Sequence, residues 1–216
     1  MGYLLYDTLT TILAPAVAMV LAIRSAQRPL LRRFLPRIPF LSDRPVWVQA
    51  CSVGEVSVAK QLLLAMRQRW PDVPVLLTVS TLPGYRLAQT ACPQAPLTLF
   101  PFDHRICVRR FIGSVRPRLV ILIETEVWPN VVRFTKRFGA PIALVNGRLS
   151  DNHYFRYTRF GFFLRPVFAQ LDAAGMQTEE YARRIESLGT PRSVIRVTGN
   201  LKFDAVATSV SVETQQ

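Results

Sequence analysis

At 216 residues and 50% hydrophobic, the chain has apolar material for one full α/β core, or one core plus a membrane segment, and too little for a second large domain. Its 27 Lys+Arg against 14 Asp+Glu leave a formal net charge of +13, which points to a polyanionic partner: nucleic acid, an anionic membrane surface or a phosphorylated substrate. Cys51, Cys92 and Cys107 form no C-x-x-C pair and have no neighbouring His suited to a metal, so a disulfide framework, a zinc site or a bound cofactor is not expected, and the thiols fit a reducing cytoplasm.

Residues 4–23 are almost all apolar, interrupted by Asp7, three Thr and Pro15, close to the roughly 20 residues that a bilayer span requires. No Lys or Arg precedes them, whereas Arg24, Arg28, Arg32, Arg33 and Arg37 follow. That asymmetry places the rest of the chain in the cytoplasm. The same residues also suit a helix lying in the interface, its basic flank on anionic headgroups. A cleavable signal carries its positive charge ahead of the apolar run and fits less well. Residues 1–40 are therefore read as a membrane anchor with a basic flank, and His104 and His153, isolated in sequence, receive no chemical role.

A basic, proline-containing linker over residues 28–45 leads into short β-branched runs that alternate with amphipathic stretches, the pattern of a parallel sheet covered on both faces. Strands are predicted at 46–50, 75–79, 97–100, 119–123, 142–146, 172–176 and 194–198, with helices beginning near Glu55, Gly84, His104, Pro129, Asp151 and Thr178. Residues 45–204 are expected to form one Rossmann-like α/β domain, and 205–216 a linker or frayed tail.

The first strand ends in Cys51-Ser52-Val53-Gly54-Glu55, which puts Glu55 in the first turn of a helix at the sheet's carboxyl edge, where open α/β sheets bind ligands. Gly54 is expected to let the backbone turn tightly there. Glu55 can accept a proton from a hydroxyl, or can merely complement the helix dipole. After the fourth strand, Glu124 and Glu126 stand two apart in Ile123-Glu124-Thr125-Glu126-Val127-Trp128-Pro129-Asn130. In an extended segment they point the same way, and burying them is costly unless they are paired. Capping ahead of Pro129 is the plainer role for Glu126. Arg148, in Asn146-Gly147-Arg148-Leu149-Ser150, and Lys202, in Gly199-Asn200-Leu201-Lys202-Phe203-Asp204, are either anion-binding groups or solvated cations. No phosphate-loop or dinucleotide-binding glycine motif occurs.

In order and approximate spacing, these four motifs together with Pro101-Phe102-Asp103 resemble the Kdo (3-deoxy-D-manno-octulosonic acid) transferase family of Gram-negative bacteria. The resemblance covers nearly the whole chain to Asp204. It implies one half of a GT-B fold, two Rossmann-like domains facing across a cleft, that transfers Kdo from CMP-Kdo to the glucosamine disaccharide of lipid IVA in lipopolysaccharide (lipid A-core) biosynthesis. By resemblance, Glu55 matches the general base, while Glu124 and Lys202 match residues that stabilise the transition state. Ser52, Gly54, Glu126, Asn146 and Arg148 are the expected acceptor-binding positions. Pro83 in Thr81-Leu82-Pro83-Gly84 departs from the family, which tends to have Thr before that Gly.

The chain stops where the family continues into its donor-binding domain. The expectation is thus an acceptor-binding half at the cytoplasmic face of the inner membrane, inactive alone, with lipid IVA and an anionic membrane as partners and CMP-Kdo only through a second domain. A non-catalytic module that binds acidic lipid A precursors is the alternative. Nucleic acid is set aside because no recognition motif accompanies the charge.

Overall fold

The computed structural model describes residues 2–201. Its core is a seven-stranded, all-parallel sheet in the order β3-β2-β1-β4-β5-β6-β7, built from β1 (Val46–Ala50), β2 (Val75–Val79), β3 (Leu97–Leu99), β4 (Leu119–Ile123), β5 (Ile142–Gly147), β6 (Ala173–Met176) and β7 (Ile195–Val197). Every predicted strand is present; the central ones are short, mainly apolar runs that a two-sided sheet buries on both faces. Alternate residues supply different cores. Val46, Val48 and Ala50 pack beneath α2 (Val53–Arg69) and α3 (Leu82–Ala91), whereas Trp47 joins the larger cluster under α4 (Arg105–Val115), α5 (Pro129–Phe138), α7 (Gly161–Phe168) and α8 (Glu179–Ser187).

The single helix expected from Asp151 is broken in two, α6 (Asp151–Arg159) and α7, at Phe160 and Gly161. Glycine is a poor helix former, and the break leaves Phe160 and Phe162 exposed.

The N-terminal helix α1 (Gly2–Ile23) is long and apolar enough to cross a membrane. Its first turns are nevertheless fastened to the domain. Tyr6 Oη donates to Asp103 Oδ2 at 2.8 Å, Arg133 Nη1 meets Asp7 Oδ2 at 2.8 Å, and Gln170 Nε2 donates to Tyr3 Oη at 2.8 Å. Asp7, an interruption in the apolar run when read from sequence, is thus a buried docking group. Leu4, Leu9, Ile12, Met19 and Ile23 remain exposed along the helix.

The basic stretch after α1 differs from the expected linker: Ser25–Phe34 forms a 3-10 helix of 10 residues. Arg33 turns inward from it. Its guanidinium donates to Phe100 O at 3.0 Å and Ser80 O at 3.4 Å and lies 4.4 Å from the Phe102 ring centroid. It therefore serves the sheet's carboxyl edge rather than lipid headgroups, because a charge beside buried carbonyls is held by them.

Candidate active site

The strand order reverses between β1 and β4, so their following loops lead to helices on opposite faces of the sheet and leave a crevice at their carboxyl ends. The Cys51–Glu55 and Glu124–Trp128 segments fill that crevice.

Glu55 occupies the third position of α2, three residues after its N-cap Ser52, the S-x-x-E spacing of a capping box. Ser52 Oγ donates to Glu55 Oε1 at 3.0 Å and the Cys51 backbone N–H to Oε2 at 2.7 Å. The capping role raised by the sequence is real, yet it does not exhaust the residue. Glu55 is only 6% exposed, and burial raises its pKa from 4.5 to about 7, against the Cys51 and Ser52 donors and with help from the charges of Glu126 and Glu124. A carboxylate titrating there is matched to proton transfer near neutrality.

Glu126 approaches from the β4 loop. One atom each from Cys51, Glu55 and Glu126 lies within 4.8 Å of the others. Burial raises the Glu126 pKa, opposed by hydrogen bonds from the Trp128 indole (2.9 Å) and the Cys51 thiol and by the charge of Arg33. Burial beside these carboxylates pushes the Cys51 thiol to about 12. A soft cation would need that thiol as a thiolate, which burial beside the two carboxylates opposes.

Glu124 does not lie in an extended segment as expected; it starts a turn with φ +60°, a left-handed conformation that strains a non-glycine residue. Glu124 and Glu126 therefore do not share a side by strand alternation, although both charges act on Glu55. The turn is tied to the next loop by Thr125 Oγ1, which donates to Arg148 O at 2.6 Å. Arg148 itself is exposed at the rim.

Asn146, with φ +56°, is 1% exposed. Its Oδ1 accepts from Leu201 N at 3.1 Å and its backbone O from Gln177 Nε2 at 3.0 Å, so it joins three loops and its side chain is enclosed. Lys202 lies outside the described residues.

Gly54 corrects another expectation. It is a helical residue of α2, absent from the positive-φ positions, and leaves an exposed face without a side chain rather than enabling a tight turn. Close packing demands a glycine instead at Gly84, where a Cβ would lie 2.9 Å from Val79 Cγ1 and 3.2 Å from Ser52 C, and at Gly147, where one would run into the Met176 side chain. Gly84→Ala is expected to lower stability by about 1–3 kcal/mol and to displace Ser52; thermal unfolding checks the first effect and amide shifts around Ser52 the second. Beside it, Thr81 Oγ1 donates to Cys51 O at 2.9 Å, so the hydroxyl next to Pro83 supports the site from behind.

Several contributors escaped the sequence reading. Behind Cys51, a buried chain runs from Trp47 Nε1 to Thr78 Oγ1 (2.7 Å), on to Gln49 Oε1 (2.5 Å), and from Gln49 Nε2 to Ser80 Oγ (2.9 Å). A glutamine inside the apolar run Val46-Trp47-Val48-Gln49-Ala50 was its available signal, because buried amides require partners. Asp103, buried and with a pKa raised to about 6 mainly by that burial, accepts from the N–H groups of Asn130 and Val131, both at 2.9 Å. It thereby caps α5, whose own N-cap Trp128 has no capping side chain.

A parallel sheet in this order with its functional groups at the switch point is the architecture of one Rossmann-like half of a GT-B-type protein. Solved structures with this fold include UDP-GlcNAc 2-epimerase from Neisseria meningitidis bound to UDP-GlcNAc (TM-score 0.58, 11% identity, 77% of this chain and 50% of that one). The UDP-N-acetylglucosamine 2-epimerase from Rickettsia bellii is another (TM-score 0.55, 12% identity, 80% and 50%). Residues 24–205 match the 3-deoxy-D-manno-octulosonic-acid transferase (kdotransferase) family, and the chain belongs to that family. It is 37% identical over 174 residues to 3-deoxy-D-manno-octulosonic acid transferase of Bordetella pertussis, covering 78% of this chain and 40% of that protein. The Haemophilus influenzae protein of that name is 28% identical over 207 residues, 92% of this chain and 48% of the relative. The chain thus spans about half the length of these curated relatives or less.

Proposed function

We propose that this chain is the acceptor-binding half of an enzyme that transfers Kdo from CMP-Kdo to the glucosamine disaccharide of lipid IVA at the cytoplasmic face of the inner membrane. The observation that carries the reading is Glu55, a nearly buried carboxylate with a pKa raised to about 7 at the switch-point crevice. Glu55 takes the proton of the acceptor hydroxyl. The oxygen then bonds to the anomeric carbon of Kdo as the bond to CMP breaks, and CMP leaves with that electron pair. Glu124 and Lys202 stabilise the charge that develops in the transition state, while Ser52, Gly54, Glu126 and Arg148 border the acceptor. Asn146 acts from beneath by holding Leu201, the residue before Lys202. Family membership supports the chemistry, and the apolar α1 supports membrane attachment.

The chain alone is expected to bind the bisphosphorylated disaccharide and turn over no CMP-Kdo, because holding both substrates together accounts for much of the rate in such an enzyme. Binding should weaken as salt rises, since exposed phosphate contacts are screened beyond about 8 Å at physiological ionic strength. It should weaken further when both phosphates are removed. Titrating the detergent-solubilised protein with each disaccharide, then with CMP, tests this; indifference to the phosphates, or measurable CMP binding, overturns the assignment.

A further inference from the structure

The fastening of α1 to the domain leaves a groove of about 560 Å³ between that helix and the α6–α7 pair, within the roughly 300–1,000 Å³ of ordinary ligand sites. Leu5 and Leu9 line it from α1, Phe160 and Leu164 from the α6–α7 side, and Glu126 and Trp128 line it as well. Through Glu126 it adjoins the crevice that holds Glu55 and Cys51. Along its outer edge the groove merges with exposed apolar surface, for Leu5, Leu9, Phe160 and Phe162 are all more than half exposed.

The chemistry of the walls selects the occupant. Tyr6 Oη donates to Asp103, Tyr157 Oη to Thr125 O at 3.1 Å, and Trp128 Nε1 to Glu126. The polar tips of all three aromatic side chains are spent inside the protein, so the groove receives only their ring carbons. An extended peptide would bring a row of backbone N–H and C=O groups, of which the polar lining residues Glu126, His153 and Arg156 could match only a few. A helix about 10 Å across with a 5.4 Å pitch would fit for little more than one turn. A hydrocarbon chain asks for no hydrogen bond. Exposed Arg156, also lining the groove, adds a cation for an anionic headgroup.

We propose that this groove seats one acyl chain of the lipid acceptor, entering from the membrane-facing side of α1 and delivering the sugar to the crevice at Glu126. The assignment rests on the acceptor reading above and adds to it where the lipid tail goes. It makes the first turns of α1 part of the substrate site as well as of the anchor.

The test uses the full chain in nanodiscs with a tetra-acylated, bisphosphorylated glucosamine disaccharide that carries a diazirine at one acyl terminus. Photolysis should label Leu5 or Leu9 and the Phe160–Leu164 peptide. Leu9→Trp, which fills the groove from an exposed position, should cut this labelling at least fivefold, whereas Leu13→Trp, on the same helix outside the groove, should not. Label spread evenly over outward residues such as Ile12 and Met19, and indifferent to Leu9→Trp, would mean that the chains stay in the bilayer and would overturn the proposal. Chain-to-chain crosslinks at Leu9 with no lipid label would overturn it in favour of a second copy. Binding of the deacylated, bisphosphorylated disaccharide separates the two levels: if it binds while groove labelling fails, only the groove is misassigned, and if it does not bind, the acceptor reading itself falls.

Discussion

Replacing Glu55 by Gln is expected to reduce Kdo transfer about 10²–10⁴-fold, the usual contribution of general-base assistance, when measured in the chain joined to a donor-binding domain. Gln keeps an oxygen for the Cys51 N–H, and acceptor affinity should change little. The pH dependence separates a base from a cap. Because the folded pKa is raised from 4.5 to about 7, the folded protein still holds a proton that the unfolded chain has lost between those values. Stability therefore falls as pH rises through that window, and the penalty persists above it. Neutral Gln escapes that penalty, which is of order 3 kcal/mol. Glu55→Gln should accordingly melt higher relative to the parent at about pH 8 than at about pH 5, and the acid limb of kcat/KM in the parent should lie near 7. Near-parental transfer by the Gln variant would leave Glu55 as a cap and nothing more.

The second large effect concerns the docking of α1. Arg133→Met should cost about 3–5 kcal/mol, as breaking a buried ion pair does, because Asp7 is left buried without its cation. The loss should appear as a lower thermal midpoint and as faster proteolysis within α1, since Arg133 also lies 4.9 Å from the Tyr3 ring centroid. Adding Asp7→Asn should restore much of the stability, because the uncompensated charge then disappears. If Arg133→Met melts like the parent, the N-terminal helix does not depend on this contact for its docking.

The strands were legible because each is a short, mainly apolar run of the right length, and a sheet covered on both faces imposes that pattern locally. Glu55 was legible for a similar reason: a serine three residues ahead of a glutamate, just after such a strand, marks a helix start at the sheet edge. Glu124 and Glu126 stood out as acids abutting a buried run. The left-handed turn at Glu124 was not legible, since it depends on the tie from Thr125 to the Arg148 carbonyl across the β4–β5 boundary. The break at Phe160 was hidden by residues that read as a continuous amphipathic stretch.

Local patterning thus determined the element order, the parallel class and the carboxylates at the carboxyl edge, because backbone periodicity and capping act over a few residues. Only the tertiary structure decided what those carboxylates experience. The Glu55 pKa depends on burial and on charges some 70 residues away in the chain, and Arg33 meets carbonyls 47 and 67 residues away. Arginine beside an apolar segment reads as membrane flank and aspartate inside one as an interruption. Folding gave Arg33 and Asp7 buried partners instead, because desolvated charge is held wherever the fold supplies its counter-charge or carbonyls, and no local pattern records where that is.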